Sequence, residues 1–131
     1  SWPMPSMSET LVTGAFKGAT VAQQNDLFRN TWGTDPAVPG RVVATRGVAA
    51  LGPETCLRIM GIVRVYSFFT EDNDPFGTRD FGDFEVEAEG QRVKVYWKID
   101  LYDLAYEFGS EAPDDPARTR RLLTILLPEE W

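Results

Sequence analysis

The clearest pattern along the chain is a strict alternation of polar and apolar residues in two neighbouring segments. Residues 83–88 alternate acidic with apolar side chains, and residues 92–101 (RVKVYWKIDL) alternate polar with apolar ones. A period of two places successive side chains on opposite faces of a strand. Because the Glu89-Gly90 pair between the segments suits a tight turn, the pattern predicts a β-hairpin.

The position of this turn also predicts which residues lie opposite each other in the hairpin. The expected inner-face pairs are Val86 with Val93, Phe84 with Val95 and Gly82 with Trp97. The expected outer-face pairs are Glu87 with Arg92, Glu85 with Lys94 and Asp83 with Tyr96. We expect the opposite charges on the outer face to neutralise each other.

Two further segments carry apolar residues at helical spacing. Residues 19–32 mix large apolar with polar side chains and stop before Gly33, and residues 53–69 begin with Pro53 and Glu54, which suit the first turn of a helix. The second segment ends in IVRVYSFF, which also has strand propensity. Between the two, residues 41–46 (RVVATR) are rich in β-branched side chains and predict a short strand.

Residues 116–127 fit two structures. Asp115 and Pro116 form a good helix start, which favours a helix through ARTRRLL, whereas the apolar run in RRLLTILL is typical of a buried central strand. We predict a turn over residues 114–118 and a strand over residues 119–127, because a hairpin alone is unstable and needs a further strand beside it.

Together these elements predict an α+β fold in one domain, residues 19–131, with an antiparallel sheet of about four strands and two helices packed on one face. Residues 1–18 are expected to form a loosely ordered extension, with Met7 as the natural start. The expected core consists of the apolar residues on the inner face of the sheet: Phe84, Val86, Val93, Val95, Trp97, Ile99, Leu123, Ile125 and Leu127.

Composition and charge exclude several kinds of partner. The 131 residues carry a net charge of −7, with 43% hydrophobic and 25% charged residues. An excess of carboxylates repels phosphate groups, so we expect no direct binding to nucleic acid. No apolar run reaches the roughly 18 residues of a membrane span, so we expect no membrane interaction. With nucleic acid and membranes excluded, we expect a protein partner. The sequence leaves the oligomeric state open.

The residue types that are missing exclude much of catalysis. The chain has no histidine, which removes catalytic triads and histidine-ligated zinc, and Cys56 is its one cysteine. Because Cys56 lies among Leu57, Ile59 and Met60, we predict a buried structural thiol. We therefore expect no catalytic residue, no cofactor and a reduced, cytoplasmic setting.

The stretch FTEDNDPFGTRDFGDFEVEAEG, residues 69–90, concentrates carboxylates and is the main candidate for function. Compared with an EF-hand loop it offers only Asp72, Asp74 and Asp83 as weak ligand candidates, because Phe76 stands at a ligand position. Turn formation by Asp and Asn side chains explains the loop better, and we predict no metal site. The predicted interaction loop for a protein partner comprises Glu71, Asp72, Asn73, Asp74, Phe76, Asp80 and Phe81.

The outer face of the hairpin suggests two other roles. The four acidic residues within 83–89 form a ladder spaced like the phosphates of a nucleic-acid strand, although Arg92 and Lys94 lie opposite two of them. On the second strand a lysine stands between carboxylate and tyrosine side chains and could act as a general acid or base. This outer-face candidate site consists of Tyr96, Lys98, Asp100 and Tyr102.

Several longer motifs resemble a known family. They are NDLFR (25–29), DNDPFGTRDFGDFEV (72–86), WKIDLYD (97–103), GSE (109–111) and DPARTRRLLTILL (115–127). In this order they resemble domain-of-unknown-function family 3768, small alphaproteobacterial proteins that are often plasmid-encoded. The resemblance implies an accessory role on a mobile element and assigns no biochemical activity. The family commonly has an acidic residue near Thr78 and an aromatic one near Leu101, which weakens the metal interpretation further.

We therefore expect a small, non-enzymatic, intracellular protein-interaction domain that belongs to a plasmid or another mobile element. Two alternatives stay open. One is an acidic inhibitor, of the anti-restriction or anti-CRISPR type, that competes with nucleic acid for a host-defence protein. The other is a divalent-metal carboxylate enzyme.

Overall fold

The computed structural model of the protein describes residues 20–131. The predicted N-terminal extension, residues 1–18, and Met7 lie outside the described residues. The α-helices are α1 (Val21–Thr31), α2 (Arg46–Ala49) and α3 (Pro53–Arg64). The strands are β1 (Gly40–Ala44), β2 (Phe81–Ala88), β3 (Gln91–Tyr102) and β4 (Arg120–Leu126), and short 3-10 turns span Pro116–Arg118 and Pro128–Glu130.

The hairpin formed by β2 and β3 has the predicted register, with Val86 opposite Val93 and Glu85 opposite Lys94. The ion pairs on its outer face differ from the prediction, because they run diagonally. Arg92 Nε lies 2.9 Å from Glu85 Oε1 instead of pairing with Glu87, and Lys94 Nζ lies 3.4 Å from Asp83 Oδ2. Long side chains reach the diagonal neighbour as readily as the residue opposite.

The prediction of a purely antiparallel sheet was wrong, because β1 runs parallel to β4. The strand order is β1-β4-β3-β2, and β4 pairs antiparallel with β3. The chain leaves β1 through α2, α3 and the hairpin before β4 returns between β1 and β3. That route leaves β4 pointing in the same direction as β1. The α+β class is confirmed, with a mixed sheet.

The helices match the sequence in part. In α1 the side chain of Thr20 accepts a hydrogen bond from the Gln23 backbone, and the Gln23 side chain reaches back to the Thr20 N–H. Helix α3 begins at Pro53 as predicted but ends at Arg64 rather than Phe69. The short helix α2 was not predicted, because a helix of a single turn leaves no periodic pattern in the sequence. None of the three helices in residues 20–131 has the length and apolarity that crossing a bilayer requires.

Of the two structures that the sequence allowed for residues 116–127, the strand is confirmed. The 3-10 turn before β4 is capped by Asp115, whose side chain accepts a hydrogen bond from Ala117 N. The predicted core is also confirmed in outline. Six of its residues are buried in one cluster with side chains of the helices, and Phe84, Val93 and Leu127 pack against it while only partly buried.

Trp97 occupies the centre of this cluster. Its indole is fully buried, and Gly82 lies opposite it on β2. A β-carbon at position 82 would collide with the indole ring and with Tyr66, so a glycine is required there for close approach. Phe69, which follows α3, stands edge-on to Trp97 with ring centroids 6.1 Å apart. The segment after α3 thus returns to the core before it enters the acidic loop.

Candidate functional site

The predicted interaction loop lies between α3 and β2, and turn chemistry builds it. Asn73 Oδ1 accepts a hydrogen bond of 2.8 Å from Thr70 N, and Asn73 Nδ2 donates one of 2.8 Å to the Phe68 carbonyl. Asp74 Oδ1 accepts one of 3.0 Å from Arg79 N. Asn73 and Asp74 therefore shape the loop, and their side chains serve its own backbone.

The part of the loop that stands free for a partner is smaller than the sequence suggested. Glu71 and Asp72 are exposed, and Phe76 is 88% exposed, the highest value among the large apolar residues described. The loop is tied to α1 by Arg79, whose Nη1 lies 2.8 Å from Asp26 Oδ2. The weak metal candidates do not meet, and residues 20–131 contain no group of three or more acidic or sulfur side chains that could hold a metal ion.

The two predicted sites meet at an aromatic cluster on the outer face of the sheet, formed by Phe81, Tyr96 and Trp131. Phe81 lies 5.3 Å from Tyr96 and 5.6 Å from Trp131, and Tyr96 lies 5.9 Å from Trp131, measured between ring centroids. All three contacts are edge-to-face, the geometry that aromatic rings favour. With Pro128 these rings line an open depression of about 390 Å³.

The charged residues of the predicted outer-face site border this cluster. Lys98 Nζ lies 5.4 Å from the centre of the Trp131 ring and 3.1 Å from Asp100 Oδ2. Tyr102 is separate from them, because it packs against Tyr106 at 6.3 Å. Lys98 is thus held by one carboxylate and one ring, an arrangement that orients a cation beside an apolar surface.

The sequence offered Trp131 as one of several aromatic residues for an interface but did not predict its position, which follows the 3-10 turn Pro128–Glu130. Glu130 holds this turn against α2, because its carboxylate accepts hydrogen bonds from Thr45 Oγ1, from Gly47 N at 2.9 Å and from Leu127 N at 2.9 Å. The hydrogen bond from the Thr45 hydroxyl is the main cause that lowers the pKa of Glu130. The sequence signal for this turn is Pro128 at its first position with Glu130 two residues later, since the Glu130 carboxylate can reach back to the Leu127 N–H.

The lowered pKa of Glu130 predicts an acid-sensitive contact. A carboxyl group whose pKa is lower in the folded than in the unfolded state stabilises the fold at pH values above its ordinary pKa of 4.5. This stabilisation is lost as the pH falls through the pKa of the folded state. Glu130→Gln should therefore melt at a lower temperature than the unchanged protein at pH 7, and this difference should shrink at pH 3. Thermal melts at both pH values test this, with Glu129→Gln as the control.

A second surface that the sequence did not predict lies at the end of β3. The loop over residues 103–112 and Arg118 line a pocket of about 520 Å³, at whose edge Leu104 and Phe108 are 57% and 71% exposed. Asp103 organises this loop by accepting hydrogen bonds from Glu107 N and Ala105 N, and the bond from Glu107 contributes most to its lowered pKa. The segments WKIDLYD, GSE and DPARTRR meet here.

Two arginines are buried between α1 and the rest of the fold, Arg29 on α1 itself and Arg121 on β4. Arg29 is 2% exposed, and burial lowers its pKa while Asp26 opposes that shift. Arg121 is fully buried; its Nε donates to Asn25 Oδ1 at 2.8 Å and its Nη2 to Gln24 Oε1 at 3.0 Å, while its Nη1 has no hydrogen-bond partner within residues 20–131. Burial lowers the pKa of Arg121 to about 10. These residues hold α1 to the sheet and to α3.

Comparison with known families supports the resemblance seen in the motifs. A family model described as "Protein of unknown function (DUF3768)" matches residues 44–130. The match covers more than half of the chain, so the protein belongs to this family of small proteins of unknown function. The matched region contains Phe81 and Tyr96 of the aromatic cluster and the pocket at the end of β3, whereas Trp131 and the NDLFR segment of α1 lie outside it. No curated protein and no solved structure matches the chain.

Proposed function

We propose that the protein is an interaction domain that binds a protein partner through the aromatic cluster of Phe81, Tyr96 and Trp131. The observation that carries this proposal is the open depression between three rings in edge-to-face contact, two of them on strands of the sheet and the third, Trp131, after the last 3-10 turn. Aromatic anchors in such positions supply much of the affinity of protein interfaces, because they bury a large area at a small cost in conformational entropy.

The predicted interaction loop between α3 and β2 lies next to this surface, because it ends at Phe81, the first residue of β2. Glu71 and Asp72 are exposed, and no ion pair engages either of them in residues 20–131. Charges at the rim of an interface steer association and select partners more than they add affinity. We therefore assign the aromatic cluster to affinity and the loop to the rate of association with a basic partner surface.

The substitution Trp131→Ala tests the aromatic cluster. Trp131 is 68% exposed, so its truncation should leave the fold intact while it removes one of three anchors. We expect the variant to retain at most about one tenth of the partner that the unchanged domain captures from its native host, measured by quantitative mass spectrometry. A matched control is Leu57→Ala, because Leu57 is also 68% exposed but lies on α3. Equal capture by Trp131→Ala and by the unchanged domain would contradict the proposal.

The loop is tested separately by a charge reversal at Glu71 and Asp72. Asp74 is a poor choice for this test, because its carboxylate accepts a backbone hydrogen bond and its loss would reshape the loop. Reversing the two free charges to lysine should slow association at low salt, and the effect should fade as salt screens the charges. A rate that does not change would limit the interface to the aromatic cluster.

We also propose that the domain acts inside a bacterial cell as an accessory protein of a plasmid or another mobile element. Only the resemblance to the family supports this setting, and it names no mechanism. Sequencing the DNA around the gene in its host is the direct test. Flanking genes that are all chromosomal housekeeping genes would contradict it.

A further inference from the structure

The two edge strands of the sheet, β2 and β1, differ in whether other parts of the chain bond to their outward backbone groups. At the β2 edge, the Tyr66 hydroxyl lies 3.2 Å from the Asp83 carbonyl oxygen and 3.3 Å from the Asp83 nitrogen. Next to it, Arg58 Nη2 donates a hydrogen bond of 2.6 Å to the Glu87 carbonyl. Both side chains come from α3 or the residues just after it, and they occupy backbone groups that a further strand would need.

Within residues 20–131, the β1 edge carries no such protection. Arg121 N donates to the Pro39 carbonyl and Thr45 N donates to the Ile125 carbonyl, so the alternate residues Arg41 and Val43 direct their backbone groups at β4. The N–H and C=O groups of Gly40, Val42 and Ala44 consequently point away from the sheet. In residues 20–131 no side chain or backbone group makes a hydrogen bond with them.

The side chains beside this edge are basic and apolar, in a protein of net charge −7. Arg41 and Arg46 are both exposed, and neither makes an ion pair in residues 20–131. The Arg41 guanidinium rests 4.1 Å from the centre of the Tyr106 ring, which fixes its position without neutralising it. Val43, two residues further along the same face, is 42% exposed.

We propose that β1 is a docking edge that receives an extended acidic peptide segment as a fifth strand of the sheet. The backbone of this segment would pair with Gly40, Val42 and Ala44, as in other cases of strand addition. A carboxylate beside Arg41 and an apolar side chain beside Val43 would give the selectivity. This surface is distinct from the aromatic cluster and does not depend on it.

Charge decides between this occupant and a second copy of the chain. Two β1 edges paired antiparallel about Val42 would place Arg41 of each copy beside Val43 of the other, with both guanidinium groups on one face. The two guanidinium groups would then be diagonal neighbours that repel each other, whereas a carboxylate beside Arg41 is attracted to it. An acidic segment is therefore the better fit.

Two capped seven-residue peptides test the proposal directly. Both have threonine at alternate positions and valine at the centre, and they differ in carrying either glutamate or lysine at the two remaining positions. With the glutamate peptide, amide hydrogen exchange should slow at Gly40, Val42 and Ala44, while Arg41 and Val43 stay protected with and without peptide. The glutamate peptide should bind at least about tenfold more tightly than the lysine peptide.

Two variants separate the edge from its charge. Ala44→Pro removes one outward N–H and no hydrogen bond to β4, so binding should fall at least about tenfold while the melting temperature holds. Arg41→Glu should reverse the preference and favour the lysine peptide, and this result does not depend on the behaviour of the proline variant. Absence of protection at the three outward amides, or equal binding of both peptides, would overturn the proposal. Dimerisation of the free protein with those amides protected would assign the edge to a second copy instead.

Discussion

Replacing Arg29 with alanine is expected to lower the free energy of unfolding by about 3–5 kcal/mol, the range seen when one partner of a buried charged network is removed. Arg29 Nε donates a hydrogen bond of 2.9 Å to the Val63 carbonyl, and Nη2 donates one of 2.8 Å to the Tyr66 carbonyl. Val63 lies in the last turn of α3, where a helix leaves its last acceptors without partners, and Tyr66 follows two residues after the helix ends. Arg29 therefore caps α3 from α1.

The same side chain also fills space in the core. Its guanidinium lies 5.0 Å from the centre of the Trp97 ring and 5.5 Å from that of Phe69. Truncation would remove a donor from both carbonyls, leave Asp26 without one of its two cations, and open a cavity against Trp97. Each of these losses destabilises the folded state.

Urea unfolding of three variants measures this effect. Arg29→Ala should show the full loss, and Arg29→Lys should still lose more than half of it, because an ammonium group cannot reproduce the planar fork that reaches two carbonyls at once. Arg79→Ala is the control, since Arg79 pairs with the same Asp26 but its side chain is 46% exposed, so the cost should stay within about 1 kcal/mol. A loss below about 1 kcal/mol for Arg29→Ala would show that Arg29 does not hold α1 and α3 together.

The hairpin could be predicted down to its register because the information is local. The alternation in residues 83–88 and 92–101 and the turn at Glu89 and Gly90 are all contained in one short segment. The parallel pairing of β1 with β4 could not be predicted in the same way. It depends on where β4 inserts after the chain has passed through two helices and a hairpin, and the five residues of β1 carry no signal of direction.

The candidate site likewise contains parts that follow from local sequence patterns and parts that depend on contacts between distant segments. Tyr96, Lys98 and Asp100 share a face because of the strand period, which the sequence shows, and Asn73 and Asp74 form turns as their side chains predict. The aromatic cluster of Phe81, Tyr96 and Trp131 had no such local signal. It forms because the 3-10 turn Pro128–Glu130 brings Trp131 to the other two rings. Contacts between distant segments follow from the assembled fold and have no local pattern.

Arg121 shows a signal that the sequence did contain. In RRLLTILL it falls on the same face as Leu123 and Ile125, two positions and four positions before them, but the expected core did not include it. A buried arginine needs acceptors, and the sequence did not show which ones. The structure supplies the amide side chains of Gln24 and Asn25 from α1 instead of a carboxylate.

Asn25→Ala is expected to lower the free energy of unfolding by about 3 kcal/mol, which is large for the removal of a neutral side chain. Asn25 is fully buried and bonds in two directions, since its Oδ1 accepts from Arg121 Nε at 2.8 Å and its Nδ2 donates to the Thr78 carbonyl at 2.9 Å. Because Nη1 of Arg121 has no hydrogen-bond partner among the described residues, 20–131, the variant would leave the buried cation with a single acceptor among them, Gln24.

A second substitution in the same background shows how much of this cost comes from the stranded cation. Arg121→Met removes the charge and keeps an apolar side chain of similar length, so the double variant should recover about 2 kcal/mol of the loss. The remainder belongs to the bond with Thr78, which methionine cannot restore. Arg121→Met alone should cost no more than about 1 kcal/mol, because the loss of two hydrogen bonds is offset by the removal of a desolvated charge. If the costs of the two single variants simply add in chemical unfolding of the double variant, then Asn25 acts independently of Arg121 and the guanidinium finds acceptors elsewhere once the amide is gone.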